Sequence, residues 1–287
     1  MKQIILGTDW WTDCDDAVAL RLVCNAVKKG EIVLKAIGIN ACMDLSVSSL
    51  VSFLHLDGVY GIPVGIDREA VDFSGNPPYQ ARLAGRCDIE ISNDDVPDAV
   101  SLYIETLKNT DGKLEIIEIG YPQVIAGVIE KEPELFAEKV SKVWMMAGKW
   151  DENPGRENNF SRSKRASKGA YSFCKNCPVP VTFLGFEVGE SVKVGGKLPQ
   201  DDHLKDVLID HGSGNGRSAW DPMLVSAALN GNIRDCGYDE VRGKAQVNPE
   251  TGENTFTKDI NGQHCFLVKR FEDSYYADRI EDLSVKF

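Results

Sequence analysis

The stretch K-Q-I-I-L-G-T-D-W-W-T-D-C-D-D-A-V-A-L-R-L, residues 2–22, decides the fold. Its residues Ile4–Leu6 form a short apolar run that is typical of a buried strand. Apolar positions in residues 17–27 predict a mostly buried helix that ends near Gly30. The turn between them contains four aspartates, Asp9, Asp13, Asp15 and Asp16. Such strand-to-helix turns are where open α/β sheets bind ligands.

These aspartates repel one another, because like charges held close together raise each other's pKa and oppose folding. A divalent cation removes that conflict, since carboxylate oxygens are ligands that Ca²⁺ and Mg²⁺ take. A solvated acidic helix N-terminus is the alternative, because the helix dipole stabilises aspartate there. That alternative accounts for Asp15 and Asp16 but not for all four residues behind an apolar strand. The cluster therefore predicts a metal site.

The composition is that of a globular protein, with 287 residues, 43% of them hydrophobic and 26% charged. The formal net charge of −12 disfavours nucleic acid or an anionic membrane as a partner. No apolar run approaches the roughly 20 residues that span a bilayer, and the N-terminus does not resemble a signal peptide. We therefore expect a cytoplasmic protein whose eight cysteines are reduced thiols.

Strand-like and helix-like segments alternate along most of the chain. The predicted strands after the first are Val33–Ile39, Leu114–Ile119, Lys142–Met146 and Val179–Leu184. The predicted helices are Ser46–His55, Pro97–Leu107, Gln123–Glu130, Lys164–Cys174, His203–Ile209 and Pro222–Leu229. This alternation predicts an α/β fold with an open, mostly parallel sheet flanked by helices.

The C-terminal part of the sequence has a different pattern. Thr255–Lys258 and Cys265–Phe271 flank an Ile-Asn-Gly turn, which predicts a C-terminal β-hairpin. A short helix is expected over Tyr275–Leu283. Because no linker rich in Pro, Gly or Ser divides the chain, we expect residues 1–287 to form a single domain.

Residues that follow the strands of a parallel sheet meet at one edge of that sheet. The polar candidates there are Asp9–Asp16, Asn40, residues 120–123, residues 148–159 and Asp221. Together they predict a carboxylate metal site surrounded by hydrogen-bonding side chains that suit a polyhydroxylated ligand.

These segments resemble the nucleoside hydrolases of inosine-uridine-preferring type. The opening motif of that family is an apolar strand followed by Asp-Thr-Asp-Pro-Gly-x-Asp-Asp-Ala, and it appears here as Gly7–Ala17 with a two-residue insertion. The later matches are the strand-Gly-x-Asn segment at 37–40, the Gly-Pro-Leu-Thr-Asn turn at 120–124, the Glu-Phe-Asn segment at 157–159 and the His-Asp-Pro segment at 220–222.

The resemblance implies a homodimer or homotetramer that cleaves the N-glycosidic bond of ribonucleosides or related ribosides. It implies Ca²⁺ ligands at Asp9, Asp16, Asp221 and the carbonyl group of Gln123. Asp15 would be the general base on a metal-activated water. The sugar hydroxyls would be held by Asn40, Glu157 and Asn159. The chemistry agrees, because a cation lowers the pKa of its water and a neighbouring carboxylate accepts the proton.

Two departures from the family pattern concern carboxylates. Gly7 stands where the family usually has an aspartate. Asp13 is an additional carboxylate that could displace Asp9 or Asp15 from its implied role.

A further departure concerns the leaving group. Trp220 stands where many members have the histidine that assists the leaving base, and His211 is a candidate substitute. Trp10, Trp11 or Trp220 could stack on a nucleobase, with core packing as the alternative. We count Trp220 among the candidate substrate-binding residues.

The sequence leaves three other interpretations open. The substrate could be a non-nucleoside glycoside, or the protein could be a metal-dependent sugar-binding protein with little or no hydrolase activity. The pattern Asp13-Cys14-Asp15 also occurs in phosphatases of the haloacid dehalogenase type.

Overall fold

The structure is a computed structural model that describes residues 1–151 and 155–287. Its strands are β1 (Lys2–Thr8), β2 (Ile32–Ile39), β3 (Val64–Ile66), β4 (Leu114–Glu118), β5 (Val140–Met146), β6 (Val181–Leu184), β7 (Lys193–Val194), β8 (Arg217–Ser218), β9 (Tyr238–Val247), β10 (Asn254–Lys258) and β11 (His264–Lys269).

The helices of the described residues are numbered separately, also in chain order. They are α1 (Asp15–Lys28), α2 (Ser46–Leu56), α3 (Gln80–Ala84), α4 (Ala99–Lys108), α5 (Gln123–Lys131), α6 (Pro133–Lys139), α7 (Asn158–Ser161), α8 (Lys164–Asn176), α9 (Phe186–Gly189), α10 (His203–Asp210), α11 (Trp220–Asn230) and α12 (Asp273–Ser284). Each predicted strand and helix is present, with its ends shifted by a few residues. In this part of the chain no helix is both long and apolar enough to cross a membrane.

The main sheet has nine strands in the order β10-β9-β11-β6-β5-β4-β1-β2-β3 as far as the chain is described. The pairs from β11 to β3 are all parallel, whereas β9 is antiparallel to both of its neighbours. The α/β fold with a mostly parallel sheet is therefore confirmed.

Helices cover both faces of this sheet, because alternate residues of a strand point to opposite sides. On β1, Ile4 and Leu6 pack with apolar residues of α1, α2, α10 and α11. Ile5 faces the other way and packs with α4, α5 and α8. β1 lies between β2 and β4. The residues that follow its carboxyl end therefore lie near the middle of the sheet edge at which the parallel strands end.

A C-terminal antiparallel hairpin is present, but its strands differ from the predicted pair. β10 pairs with β9, which the sequence analysis did not predict, and not with β11. β11 lies on the other side of β9 and joins it to the parallel strand β6. The predicted turn near Ile260 therefore connects two strands that are separated by a third.

Arg21 ties α1 to three other elements although its side chain is fully buried. Its Nε donates to Asp57 Oδ2 at 2.8 Å, at the end of α2. Its terminal nitrogens donate to the carboxylate of Asp202, the N-cap of α10, at 2.7 and 2.9 Å. One of them also donates to the carbonyl oxygen of Ser284 in α12. The helix that begins at the acidic turn is thus fixed at its centre.

Candidate functional site

The acidic turn between β1 and α1 is organised by its own backbone. The amide of Trp11 donates to Asp9 Oδ1 at 3.2 Å, and the amide of Trp10 lies 3.4 Å from Asp16 Oδ1. The hydroxyl of Thr8 also donates to the Asp16 carboxylate. These bonds orient two of the predicted metal ligands.

Trp10 anchors this turn in the core. Its side chain is fully buried, its Nε1 donates to Ser49 Oγ at 2.9 Å, and its carbonyl oxygen accepts from Gln80 Nε2 at 2.6 Å. Its φ of 44° lies in the left-handed region that non-glycine residues rarely adopt. Trp10 therefore packs in the core, and of the two neighbouring tryptophans only Trp11 lines the cavity described below.

Three carboxylates converge at the carboxyl edge of the sheet. Oxygens of Asp15, Asp16 and Asp221 lie within 4.8 Å of one another, and all three residues are buried. The backbone amide of Asp221 donates to Asp15 Oδ2 at 3.2 Å, which joins the start of α11 to the start of α1. Asp9 lines the same cavity.

Burial, and after it repulsion between neighbouring carboxylates, raises the pKa of Asp15, Asp16 and Asp221 well above the ordinary range. The same causes raise the pKa of Asp9 to about 8. No lysine or arginine among the described residues forms an ion pair with these carboxylates, since the cavity's Arg217 is paired with Asp13. An oxygen-only donor set of this kind fits a hard divalent cation.

Asp13 has a different partner. Nε of Arg217 donates to Asp13 Oδ1 at 2.8 Å, and a terminal nitrogen donates to Oδ2 at 2.5 Å. Although burial opposes it, this bidentate contact lowers the pKa of Asp13. His211 Nε2 lies 3.9 Å from Asp13 Oδ1, and His211 Nδ1 forms a hydrogen bond with Ser213 Oγ. Asp13 is therefore held as the partner of an arginine.

A cavity of about 270 Å³ opens above the carboxylates. The residues that line it are Asp9, Trp11, Thr12, Asp13, Asp15, Asp16, Ile119, Met146, Glu157, Asn158, Asn159, Arg162, Phe186, Arg217, Trp220 and Asp221. The structure thus brings together seven of the predicted site residues: Asp9, Asp15, Asp16, Glu157, Asn159, Trp220 and Asp221.

Glu157 and Asn159 are held by local hydrogen bonds at the start of α7. The Glu157 carboxylate accepts from the amides of Gly148 and Asn159, both at 2.8 Å. Burial raises the pKa of Glu157 to about 7, although these amides oppose the shift. Asn159 Nδ2 donates to the carbonyl oxygen of Met146 at 2.8 Å, at the end of β5. Each side chain thus presents a fixed polar group to the cavity.

Asn40 and Gln123 lie outside the lining of this cavity. The Asn40 amide donates to Glu118 Oε1 at 2.8 Å and accepts from the Tyr121 amide at 2.9 Å. Both of its polar atoms thus have partners in the fold, and its contact with a sugar stays a prediction. The side chain of Gln123 donates to the Asn40 carbonyl oxygen at 2.7 Å. A metal contact through the Gln123 carbonyl stays a prediction.

Glu118 is a buried carboxyl that the sequence analysis missed. Its Oε1 accepts from Asn40 Nδ2 and from the amide of Gly120, whereas its Oε2 has no hydrogen-bond partner among the described residues. Burial raises its pKa to about 8. It faces Gly7, where an added Cβ would lie 2.1 Å from Oε2. The absence of a side chain at Gly7 is the sequence signal that could have indicated this contact.

The aromatic wall of the cavity includes Trp220. Its Nε1 donates to the carbonyl oxygen of Phe186 at 2.7 Å, and the two rings stack at 5.4 Å. The guanidinium of Arg217 lies 5.1 Å from the Trp220 ring. No histidine lines this cavity among the described residues, and His211 is not brought into it.

Comparisons with known proteins agree with this architecture at the level of fold. No family model and no curated protein matches the sequence. A plant nucleoside hydrolase has a TM-score of 0.76 at 16% identity, over 99% of this chain and 98% of that one. The inosine-uridine preferring nucleoside hydrolase of Bacillus anthracis has a TM-score of 0.69 at 14% identity, over 100% of both chains.

The type III effector protein XopQ, solved in complex with adenosine diphosphate ribose, is also similar. Its TM-score is 0.64 at 15% identity, over 99% of this chain and 91% of that one. These likenesses extend from end to end, in agreement with the resemblance found in the sequence. The chain has the fold of the nucleoside hydrolases.

Proposed function

We propose that this protein is a Ca²⁺-dependent hydrolase that cleaves the N-glycosidic bond of ribonucleosides or related ribosides. The observation that carries the proposal is the convergence of Asp15, Asp16 and Asp221 within 4.8 Å, at the floor of a cavity that Glu157 and Asn159 also line. This arrangement supports a cation site beside side chains that suit sugar hydroxyls.

Asp9, Asp16 and Asp221, with the carbonyl group of Gln123, would hold the cation. When bound, Ca²⁺ would lower the pKa of a coordinated water and neutralise the charge of the cluster. The oxygen ligands favour Ca²⁺ or Mg²⁺ over softer metals. The crowded carboxylates support Ca²⁺ in particular, because it accepts more ligands and a less regular geometry than Mg²⁺.

Asp15 would accept the proton from the attacking water. It shares the buried cluster with Asp16 and Asp221, and its Oδ2 accepts only the backbone amide of Asp221 among the described contacts. Asp13 is the weaker candidate, because both of its oxygens are occupied by Arg217. The proton acceptor Asp15 and the proposed cation ligand Asp16 thus both belong to the first turn of α1.

Glu157 and Asn159 would bind the ribose hydroxyls and orient the anomeric carbon toward the attacking water. The transition state of glycosidic cleavage resembles an oxocarbenium ion, so the anionic floor of the cavity would stabilise it. Trp220 offers aromatic surface for the aglycone. The described lining contains no histidine that could donate a proton to the leaving group.

The test compares Asp15→Asn with Asp13→Asn in the hydrolysis of a nitrophenyl riboside and of inosine, with Ca²⁺ present. General-base catalysis is worth roughly 10²–10⁴-fold. We expect a loss of that size for Asp15→Asn and a smaller loss for Asp13→Asn. Equal losses, or a larger loss for Asp13→Asn, would contradict the assignment of the base.

Binding of a ribose compound without cleavage is the second candidate function. It is favoured by the position of Trp220, since no histidine of the described cavity lining takes the place of a leaving-group acid. The solved complex of XopQ with adenosine diphosphate ribose shows that one protein of this fold was obtained with a ribose-containing ligand. Ribose binding by calorimetry without release of sugar from any riboside would select this candidate.

The fold does not favour the haloacid dehalogenase interpretation. Assembly as a homodimer or homotetramer and a cytoplasmic location stay predictions.

A further inference from the structure

A second space adjoins the cavity at the residues that line both of them. This outer cleft has a volume of about 640 Å³ and shares Glu157, Asn158 and Phe186 with the inner cavity. Because the shared residues belong to both linings, a ligand whose ribose contacts Glu157 can extend into the cleft.

The two spaces differ in the charges that line them. The floor of the inner cavity is formed by carboxylates of the acidic turn and Asp221. The outer cleft is lined by two cationic side chains, Lys149 and Arg156, which have Asp151 and Glu253 as acidic neighbours at 3.3 and 3.7 Å. The inner cavity is also lined by two arginines, Arg162 and Arg217. Among the described residues, the outer cleft thus has two lining cations and one lining carboxylate, Glu157, which it shares with the inner cavity.

Arg162 is distinguished from other arginines near the site by its partners. It is exposed, and within the described ranges no carboxylate oxygen lies within 4.0 Å of its nitrogens, whereas Arg217 is paired with Asp13 and Arg165 with Asp67 and Glu69. Its one described hydrogen bond runs from a terminal nitrogen to the carbonyl oxygen of Ser74 at 3.4 Å. Most of its donors are therefore available to a ligand.

Trp11 fixes the position of this guanidinium. The Arg162 guanidinium carbon lies 4.6 Å from the Trp11 ring centre, a cation–π contact. Trp11 is itself held, because it is 2% exposed and its Nε1 donates to the Gly75 carbonyl oxygen at 3.0 Å. An arginine held on an aromatic face has a planar set of donors that matches the oxygens of a phosphate.

We propose that Arg162 recognises a phosphate group on the substrate, and that the natural substrate is therefore a phosphorylated riboside. This inference rests on the proposed function, because it assumes that ribose occupies the inner cavity. Phosphate is favoured over a single carboxylate because Arg156 and Lys149 line the adjoining cleft and suit a group with more than one negative charge. The phosphate is carried either on the ribose as a monoester or within a longer diphosphate chain.

The first test measures binding by calorimetry of ribose 5-phosphate and of ribose to the full chain with Ca²⁺ present. Charge-assisted hydrogen bonds make the expected preference for ribose 5-phosphate about 10- to 100-fold in the wild type. Arg162→Gln should abolish the preference, and Arg162→Lys should retain part of it. Arg279→Gln is the matched control, because Arg279 also has no carboxylate within 4.0 Å in the described chain and lies on α12, outside both linings. It should leave the preference unchanged.

Adenosine diphosphate ribose distinguishes the two sources of the phosphate. Tighter binding than ribose 5-phosphate, lost in Arg156→Gln, would assign a second phosphate to the outer cleft. Equal binding of the two ligands would assign a monoester. A preference for ribose 5-phosphate that survives Arg162→Gln, or no preference in the wild type, would overturn the proposal.

The kinetic arm separates this proposal from the proposed hydrolase function. Wild type and variants are compared on uridine and uridine 5′-monophosphate, with a nitrophenyl riboside as the reference for hydrolysis. Cleavage of the nitrophenyl riboside without discrimination between the uridine pair would refute phosphate recognition and leave the hydrolase assignment intact. Arg162-dependent binding of ribose 5-phosphate without cleavage of any riboside would support phosphate recognition and refute hydrolysis.

Discussion

Gly7 on β1 and Glu118 on β4 are register partners, and the Glu118 carboxylate fills the space that a side chain on Gly7 would need. Gly7 stands where the family that the sequence resembles usually has an aspartate, and here a carboxylate reaches the same region from the neighbouring strand. There it holds Asn40 and the Gly120 amide, the two groups that shape the turn before α5.

This relationship predicts coupled effects on stability. Gly7→Ala should destabilise the protein by about 1–3 kcal/mol, because the new Cβ overlaps Glu118. Glu118→Ala should also destabilise it, since Asn40 and Gly120 lose their acceptor. The double variant should be less destabilised than the sum of the two, by about 0.5–3 kcal/mol. Denaturant unfolding of the four proteins measures this difference, and strict additivity would refute the contact.

Glu118 also predicts a dependence of stability on pH. Its pKa in the folded state is about 8, above its ordinary value. The protonated form is therefore favoured by folding, and this contribution is complete at low pH and is lost as the pH rises through about 8. In Glu118→Gln the melting temperature should fall less between pH 6 and pH 9 than in the wild type, with both proteins measured without added metal. Identical slopes would show that Glu118 is ionised across this range.

Metal binding is predicted to depend on the buried carboxylates and not on the number of negative charges in the turn. Asp16→Asn and Asp221→Asn should each lose most of their affinity for Ca²⁺ in calorimetric titrations. Asp13→Asn is the matched control, since it removes one charge from the same turn but its carboxylate belongs to Arg217. It should keep most of the affinity. A loss of similar size in all three variants would indicate a purely electrostatic effect.

The leaving group should decide how fast a riboside is cleaved. With Trp220 beside Phe186 and no histidine in the described lining, we expect good cleavage of a nitrophenyl riboside and poor cleavage of inosine and uridine. Trp220→His should improve the poor substrates. If stacking on Trp11 activates the base instead, inosine will be cleaved well and Trp11→Ala will abolish that activity. Steady-state kinetics on the three substrates measures this. Equal efficiency on all of them, unaffected by either substitution, would contradict both explanations.

The parts of the fold that sequence could predict are those with a strong local pattern. Residues 2–28 combine an apolar strand, an acidic turn and a buried helix, and the structure has all three. β9 was missed although its residues alternate between exposed and buried from Arg242 to Val247. Gly243 and charged residues at alternate positions weaken its apolar pattern, and the pairing with both β10 and β11 is decided by distant parts of the chain.

In the functional site too, local sequence patterns predict some residues, whereas contacts with distant parts of the chain decide the others. Asp15, Asp16 and Asp221 could be placed together because each follows or begins an element at one edge of the sheet. Asn40 also lies at that edge, but which groups its amide binds depends on Glu118 in a neighbouring strand. Arg162 has no motif of its own. Its exposure and its position over Trp11 arise only after α7 is folded against the acidic turn.

Trp10, with its left-handed backbone and its bonds to Ser49 and Gln80, makes the acidic turn a preorganised receptor. Core packing offsets the strain of that conformation, so the acidic turn does not need a ligand to be stable. A cation that enters would meet oxygens already in place, so its binding should order little additional chain and produce only a small change in heat capacity. The affinity of the turn is therefore set during folding, by a tryptophan that no ligand touches.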